Sequence, residues 1–364
     1  MGRLSLNLIM HDLRDSIYSL YRMDIRHLFY ETAEIAVHAA EDAKAKKKNK
    51  LSMIESWNDL RKPVAHFKAS NFFTLLRENS IMLADSFGRT TLLDIDFKSV
   101  VPMPPMPNGK GPNCICFSIP NPEPLKSYSQ CLFVLDLVPG SSTNSSSFEF
   151  LTYLGSRDSS RPLVSSHFHL NWLWHDLPVP AFAEHPANSR AAMNYSYMLL
   201  DSSTMCLSSS EEGIGTYTFD MVNHKWSRAG NWVLPFCGKA EYVPELKLWF
   251  ALSPSAPHSL CALDFPAMDF DLPPDLLRTW DCLHLHDETP YKRHLVNLGS
   301  GKFCVVSFFK TFKSKYVAEN MEDESAVFTG LEVRRCNNSE GAVRMIKHMS
   351  KRYTFGRFGI QSIL

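Results

Sequence analysis

The stretch GIGTYTFDMVNHKWSRAGNWVLPF, residues 213–236, limits the possible folds more than any other part of the chain. It holds a β-rich run, an apolar residue followed by aspartate (Phe219, Asp220), and Trp226 seven positions after the phenylalanine. An apolar-aspartate pair also occurs at Leu93-Asp94, Leu135-Asp136 and Leu263-Asp264. From 94 to 136 is 42 residues, from 136 to 220 is 84, and from 220 to 264 is 44. The doubled interval predicts either a degenerate unit near 178 or an expanded unit over 139–190. Seven positions past the apolar residue lie Val100, Trp226 and Phe270 in three cases, and Ser142 in the fourth.

The runs between these markers read as short strands broken by Gly, Pro, Asn and Ser. Over 70–107 the expected strands are FFTLL, SIMLADS, RTTLLDID and SVVPMP; over 194–235 they are YSYMLL, TMCLSS, GTYTFD and WSRAGNWVLP. Four strands per unit and a period in the low forties predict an all-β chain, a β-propeller of about five to seven four-stranded blades. A single blade cannot bury both its faces, so blades must stack. In that scheme Phe219 and Trp226 sit on consecutive strands and pack between sheets, while Asp220 accepts backbone N–H groups at the turn. Asp94, Asp136, Asp220, Trp226 and Asp264 are then structural markers of the repeat. A β-sandwich with coincidental spacing is the competing reading.

The expected organisation is one propeller domain over 1–364, with closing strands in 1–30 and blade repeats over 70–350. Between them, 31–50 (ETAEIAVHAAEDAKAKKKNK) reads as a surface helix, acids early and lysines late, as the helix dipole favours. Its run Lys44, Lys46, Lys47, Lys48, Lys50 serves equally as a nuclear address or a solvated helix end. Closure is expected from SLNLIMHD and IYSLYRMD pairing with FTGLEVRR and GAVRMIKHMSKRY, which removes exposed edges.

Lys plus Arg (38) equals Asp plus Glu (38), which disfavours bulk binding to nucleic acid. Nine cysteines without a CxxC pair suit reduced thiols inside a cell. The opening run lacks a signal-peptide core, and no stretch of about 18 apolar residues occurs. A monomeric protein of the cytoplasm or nucleus, away from membranes, is therefore expected.

Candidate chemistry is sparse. His167 with His169 (HFHL) and His284 with His286 (HLHD) have strand spacing, which places each pair on one face as a metal site requires. Neither has a clear third ligand, so blade-edge histidines are the simpler reading, and no cofactor is expected. NLGSGKF lacks the first glycine and the Ser/Thr of a phosphate loop and reads as a hairpin turn. No nucleophile elbow or zinc-protease motif occurs.

TYTFDMVNHKW resembles the kelch repeat, in which an aromatic-Asp pair precedes Trp, although the Gly-Gly doublet of kelch is absent. The longer run GIGTYTFDMVNHKWSRAGNWVLPFCGKAEYVPELKLWFALS, with HLVNLGSGKFCVVSFF and FTGLEVRRC, resembles a grass-expanded plant family known as a domain of unknown function and likened to kelch or F-box-associated propellers. The resemblance implies a propeller and brings no catalytic residues with it. A non-enzymatic scaffold that binds a protein or peptide through its loops is the resulting expectation, with substrate selection for ubiquitination as one version. The competing class is a propeller enzyme or small-molecule binder with its site in the central channel.

Overall fold

The computed structural model describes residues 3–12, 14–45, 55–56, 62–69, 71–74, 79–111, 114–120, 128–137, 147–154, 172–184, 195–256, 258–265, 274–280, 288–311, 323–336, 342–356 and 358–364. The fold is all-β and propeller-like, built from antiparallel four-stranded meanders, and it divides into two compact units. One unit comprises 68–234 with 269–273; the other comprises 1–67, 235–268 and 274–364.

The first of these units begins with strands Asn71–Thr74, Ser80–Ala84, Thr90–Asp94 and Ser99–Met103, hydrogen-bonded in that order. A second sheet runs Ile115–Pro120, Tyr128–Asp136, Ser147–Leu154, Trp172–Asp176, and a third runs Tyr195–Leu199, Thr204–Ser209, Gly215–Asp220, Lys225–Gly230. The middle sheet is covered on both sides because its strands alternate. Leu132, Val134 and Leu151 meet Met82, Leu92 and Val101 of the first sheet. Phe133, Leu135 and Phe148 meet Met205, Leu207 and Phe219 of the third. This is the mutual shielding that a blade needs.

The other unit repeats the arrangement. Strands Lys292–Gly299, Lys302–Thr311, Asp323–Arg335 and Val343–Thr354 form its middle sheet, with Glu55–Ser56 added in parallel to the last. Phe303 and Val305 face Phe250 and Leu260 of the meander Cys237–Val243, Leu248–Leu252, Leu260–Asp264, Asp275–Trp280. Cys304, Val306 and Phe308, one residue out of phase, face Leu6, Leu8 and Met10. Those belong to Ser5–Asp12, which pairs with Ile17–Asp24 on one side and Phe358–Ile363 on the other, while Ala65–Phe67 completes the sheet. The strand that joins the amino-terminal pair is thus Phe358–Ile363. The segments around 328–335 and 342–353 instead pair with each other in the middle sheet.

Helix α1 (Ala33–Ala45) lies on the surface with one face packed: Ala33 and Ala36 pack on Ile346, with Tyr30 and Val37 beside them. The chain leading into it crosses the middle sheet at Gly330, where an added Cβ would lie 2.5 Å from the Leu28 carbonyl oxygen. Only glycine admits so close a backbone. Lys44 lies in the last turn of α1, and Lys46, Lys47, Lys48 and Lys50 fall outside the described residues. Among the described residues no helix is long and apolar enough to cross a membrane.

Candidate functional site

The apolar-aspartate markers sort into two kinds. Asp220 ends its strand, and its Oδ1 accepts the N–H groups of Val222 and Asn223, both at 2.9 Å, while the Asn223 amide donates to Oδ2. These donors hold its carboxyl below the usual carboxylate range, the Asn223 side chain contributing most. His224 then takes a left-handed conformation (φ 52°), and Trp226 falls opposite Phe219. Asp94 is built alike: its Oδ1 accepts from Asp96 and Phe97 at 3.1 Å, Lys98 has φ 49°, and Val100 falls opposite Leu93. Both are side-chain-capped hairpin turns. Asp85 and Asp201, which do not follow the marker's spacing, cap turns in the same manner.

Asp136 and Asp264 differ. Asp136 ends the second strand of its sheet, not the third, is buried, and accepts the Gly111 N–H at 2.7 Å. The 42-residue interval from Asp94 therefore joins unlike positions, and the doubled interval after it needs no degenerate unit. Asp264 ends a third strand, but a bulge intervenes and Leu263 faces Leu276; Phe270 lies outside the described residues.

Around Trp226 the second and third sheets of their unit form an aromatic seam. The Phe219 and Trp226 rings lie 4.9 Å apart, Phe148 and Phe219 4.8 Å, and the Trp226 indole donates to the Pro178 carbonyl at 2.8 Å. Phe150 lies between two imidazoles, stacked on His175 at 4.7 Å and tilted against His224 at 5.1 Å. His175 Nε2 is 3.1 Å from the Thr152 hydroxyl. The rim of the seam is open to solvent: Leu173, on the strand that carries His175, is 43% exposed, and Val222, in the Asp220 turn, is 40% exposed.

Beneath the other face of the second sheet lies a charged network. Lys110 pairs with Glu149, both side chains wholly buried, and Lys110 also donates to the Ser147 hydroxyl. Asn108 donates to the free Glu149 oxygen at 2.7 Å, and Asn71 donates to the Lys110 carbonyl at 3.0 Å. Sequence reading missed both features. The alternation Phe148-x-Phe150 and the loop PNGKG are their only local signals.

Among the described residues, nucleophile–imidazole approaches include Ser19 Oγ at 2.8 Å from His66 Nδ1 and Cys237 Sγ at 3.9 Å from His258 Nδ1. The His258 nitrogen is 3.0 Å from the Ser253 carbonyl, to which it must donate, so it cannot accept the thiol proton. Burial also pushes the Cys237 thiol up, the opposite of activation. Gly299, Ser300 and Gly301 all have positive φ and form the hairpin turn between two strands. His167, His169, His284 and His286 lie outside the described residues. Among the described residues no three potential ligands cluster for a metal ion, and the eight described cysteines are free thiols.

One histidine holds the strap into α1. Tyr30 N–H donates to His348 Nδ1 at 3.2 Å, so the ring proton sits on Nε2, which donates to Glu332 at 3.1 Å. Burial pulls His348 below its ordinary value against the opposing pull of Glu332, and burial holds His294 at about 4. Both folded values lie below the ordinary one near 6.5, so in acid the unfolded chain binds protons that the folded chain refuses. These two histidines should add no pH dependence well above pH 6.5 and should cost stability as pH falls toward 4; urea melts across that range check it, with His348→Gln reducing the slope.

No curated protein matches the chain. Among solved structures, a protein of unknown function from Bacteroides thetaiotaomicron aligns at 10% identity over 76% of this chain and 57% of its own, with a TM-score of 0.37. An auxiliary nutrient binding protein from the same organism aligns at 9% over 76% and 56%, with a TM-score of 0.33. The β-propeller domain of Cps50 (Swd1) from Myceliophteria thermophila aligns at 7% over 76% and 96%, with a TM-score of 0.31. The chain thus spans a little over half the length of the first two. A family model described as "Protein of unknown function (DUF1668)" matches residues 3–353, and the chain belongs to that family.

Proposed function

We propose that this protein is a non-enzymatic scaffold that binds a protein or peptide partner at the rim of the aromatic seam. The observation that carries the reading is a ring cluster in which Phe150 contacts His175 and His224 while Trp226 packs on Phe148, with Leu173 on the His175 strand and Val222 in the His224 turn both exposed. Aromatic side chains with a polar edge, rigidly backed and partly open to water, are the groups that dominate interface energetics. The hairpin caps beside them hold the turn in place, so little order has to be acquired on binding.

The finer reading belongs to the same proposal. It is a monomeric, kelch-like or F-box-associated propeller of five to seven blades, of plant type, forming one domain. It acts in the cytoplasm or nucleus, and one version of the role is substrate selection for ubiquitination. The eight free thiols among the described residues suit the reducing compartments it names.

The test is affinity capture from an extract of the source tissue with the full chain and with Leu173→Asp/Val222→Asp, read by mass spectrometry. The full chain should enrich a reproducible partner that the variant loses while keeping its melting temperature. Equal recovery by both would remove the seam from the proposal, and recovery of nothing reproducible would remove the scaffold role.

A further inference from the structure

The loop over 104–111 joins the first and second sheets of its unit, and it contains the sole Asn-Gly pair in the chain, Asn108-Gly109. Asn-Gly is the dipeptide most open to deamidation, because no side chain on the following residue hinders its backbone nitrogen. That nitrogen attacks Asn108 Cγ, a C–N bond forms, the Cγ–Nδ2 bond breaks, and ammonia leaves with the amide proton. Water then opens the succinimide ring to aspartate or isoaspartate. No oxidant, metal or cofactor is involved.

Two features of the fold oppose this ring closure. The Asn108 amide is held on Glu149 Oε1 at 2.7 Å and must let go before Cγ can swing back to the Gly109 nitrogen. Gly109 itself is pressed against the neighbouring turn: an added Cβ would lie 2.1 Å from the Ser86 carbonyl oxygen, which leaves the loop no room to pivot. Residues on both sides are anchored: before the pair, Pro104 O accepts from Thr90 and from the Trp174 indole and Met106 N–H donates to Gly88 O, and after it Gly111 N–H donates to Asp136. Attack therefore requires the loop to leave the sheets.

The product is poorly suited to return. Glu149 is wholly buried, its other oxygen is taken by Lys110, and Asn108 donates to the one that remains. A carboxylate at position 108 would set two anions at hydrogen-bond distance with a single lysine between them. Isoaspartate would also lengthen the backbone where Gly109 is already in contact.

We infer that Asn108-Gly109 is a deamidation site gated by the fold: closed while the 104–111 loop is seated, and converted during local opening into a form that weakens the buried Lys110–Glu149 network. Such a site records, irreversibly, the time a chain has spent open.

The full chain is aged at mildly alkaline pH, folded and in concentrated urea, and peptides covering Asn108 are followed by mass for the gain of about 1 Da. Conversion should be slower in the folded chain by about tenfold or more, the protection expected of a loop that must open to react. In parallel, Asn108→Asp and Asn108→Ala are melted. Both lose the amide donor, but only the aspartate adds charge, so Asn108→Asp should melt lower by a further few degrees. Equal rates in folded and unfolded chains, or absence of the mass gain in urea, overturns the gate; Asn108→Asp melting no lower than Asn108→Ala overturns its link to the network.

Discussion

Phe219→Ala should destabilise the chain by about 3–5 kcal/mol, the cost of emptying a large, fully buried aromatic site. Phe219 has no exposed surface and touches rings on two elements, Phe148 on the neighbouring sheet and Trp226 on the next strand of its own. Neither can collapse into the space, because Phe148 is set by pairing with Leu135 and the Trp226 indole is tied to Pro178. The loss should therefore reach the upper part of that range. Urea unfolding followed by tryptophan fluorescence measures it, and a change below about 1 kcal/mol would mean that the ring is not part of the core.

Glu149→Ala should cost a similar amount, about 3–5 kcal/mol, for a different reason. It leaves the Lys110 ammonium buried with the Ser147 hydroxyl as its remaining side-chain partner, and it strips Asn108 of its acceptor. The sign of the pair itself is separate from the cost of breaking it. Replacing both, as Lys110→Met/Glu149→Leu, removes the unpaired charge, so most of the stability should return. The double variant is thus expected to be far more stable than the sum of the single losses predicts. Additive losses in the cycle would show that the two side chains do not act as a pair.

How much of this was legible in the sequence follows the range of the interactions. The strands over 71–103 and 195–230 could be read because their turns are made locally: Asp220 bonds the N–H groups two and three residues on, and Asp94 does likewise. Asp136 misled because an apolar-aspartate pair at a strand end looks the same whether the strand is second or third in its sheet. Its actual partner, Gly111, is 25 residues away. The pairing of Ser5–Asp12 with Phe358–Ile363 had no local signature, since a short alternating run does not announce which edge it joins. Lys110 and Glu149 are 39 residues apart and reach each other only when the first and second sheets stack. Lysine and glutamate in loops and strands ordinarily face water, so their burial is a property of the assembled unit. The seam was half visible: Phe219 and Trp226 were evident from their spacing, whereas Phe150 meets His175 by strand pairing and His224 by sheet packing.

The central claim is that the Asp220 hairpin is architecture while the exposed rim beside it does the binding. One crossover experiment separates the two, measuring melting temperature and partner capture side by side for Asp220→Ala and for Leu173→Asp/Val222→Asp. The account predicts that Asp220→Ala melts lower but still captures the partner below its transition, and that the rim variant melts like the parent chain and captures nothing. The reverse pattern, with capture lost on removing the aspartate from a chain of unchanged stability and kept by the rim variant, would contradict it.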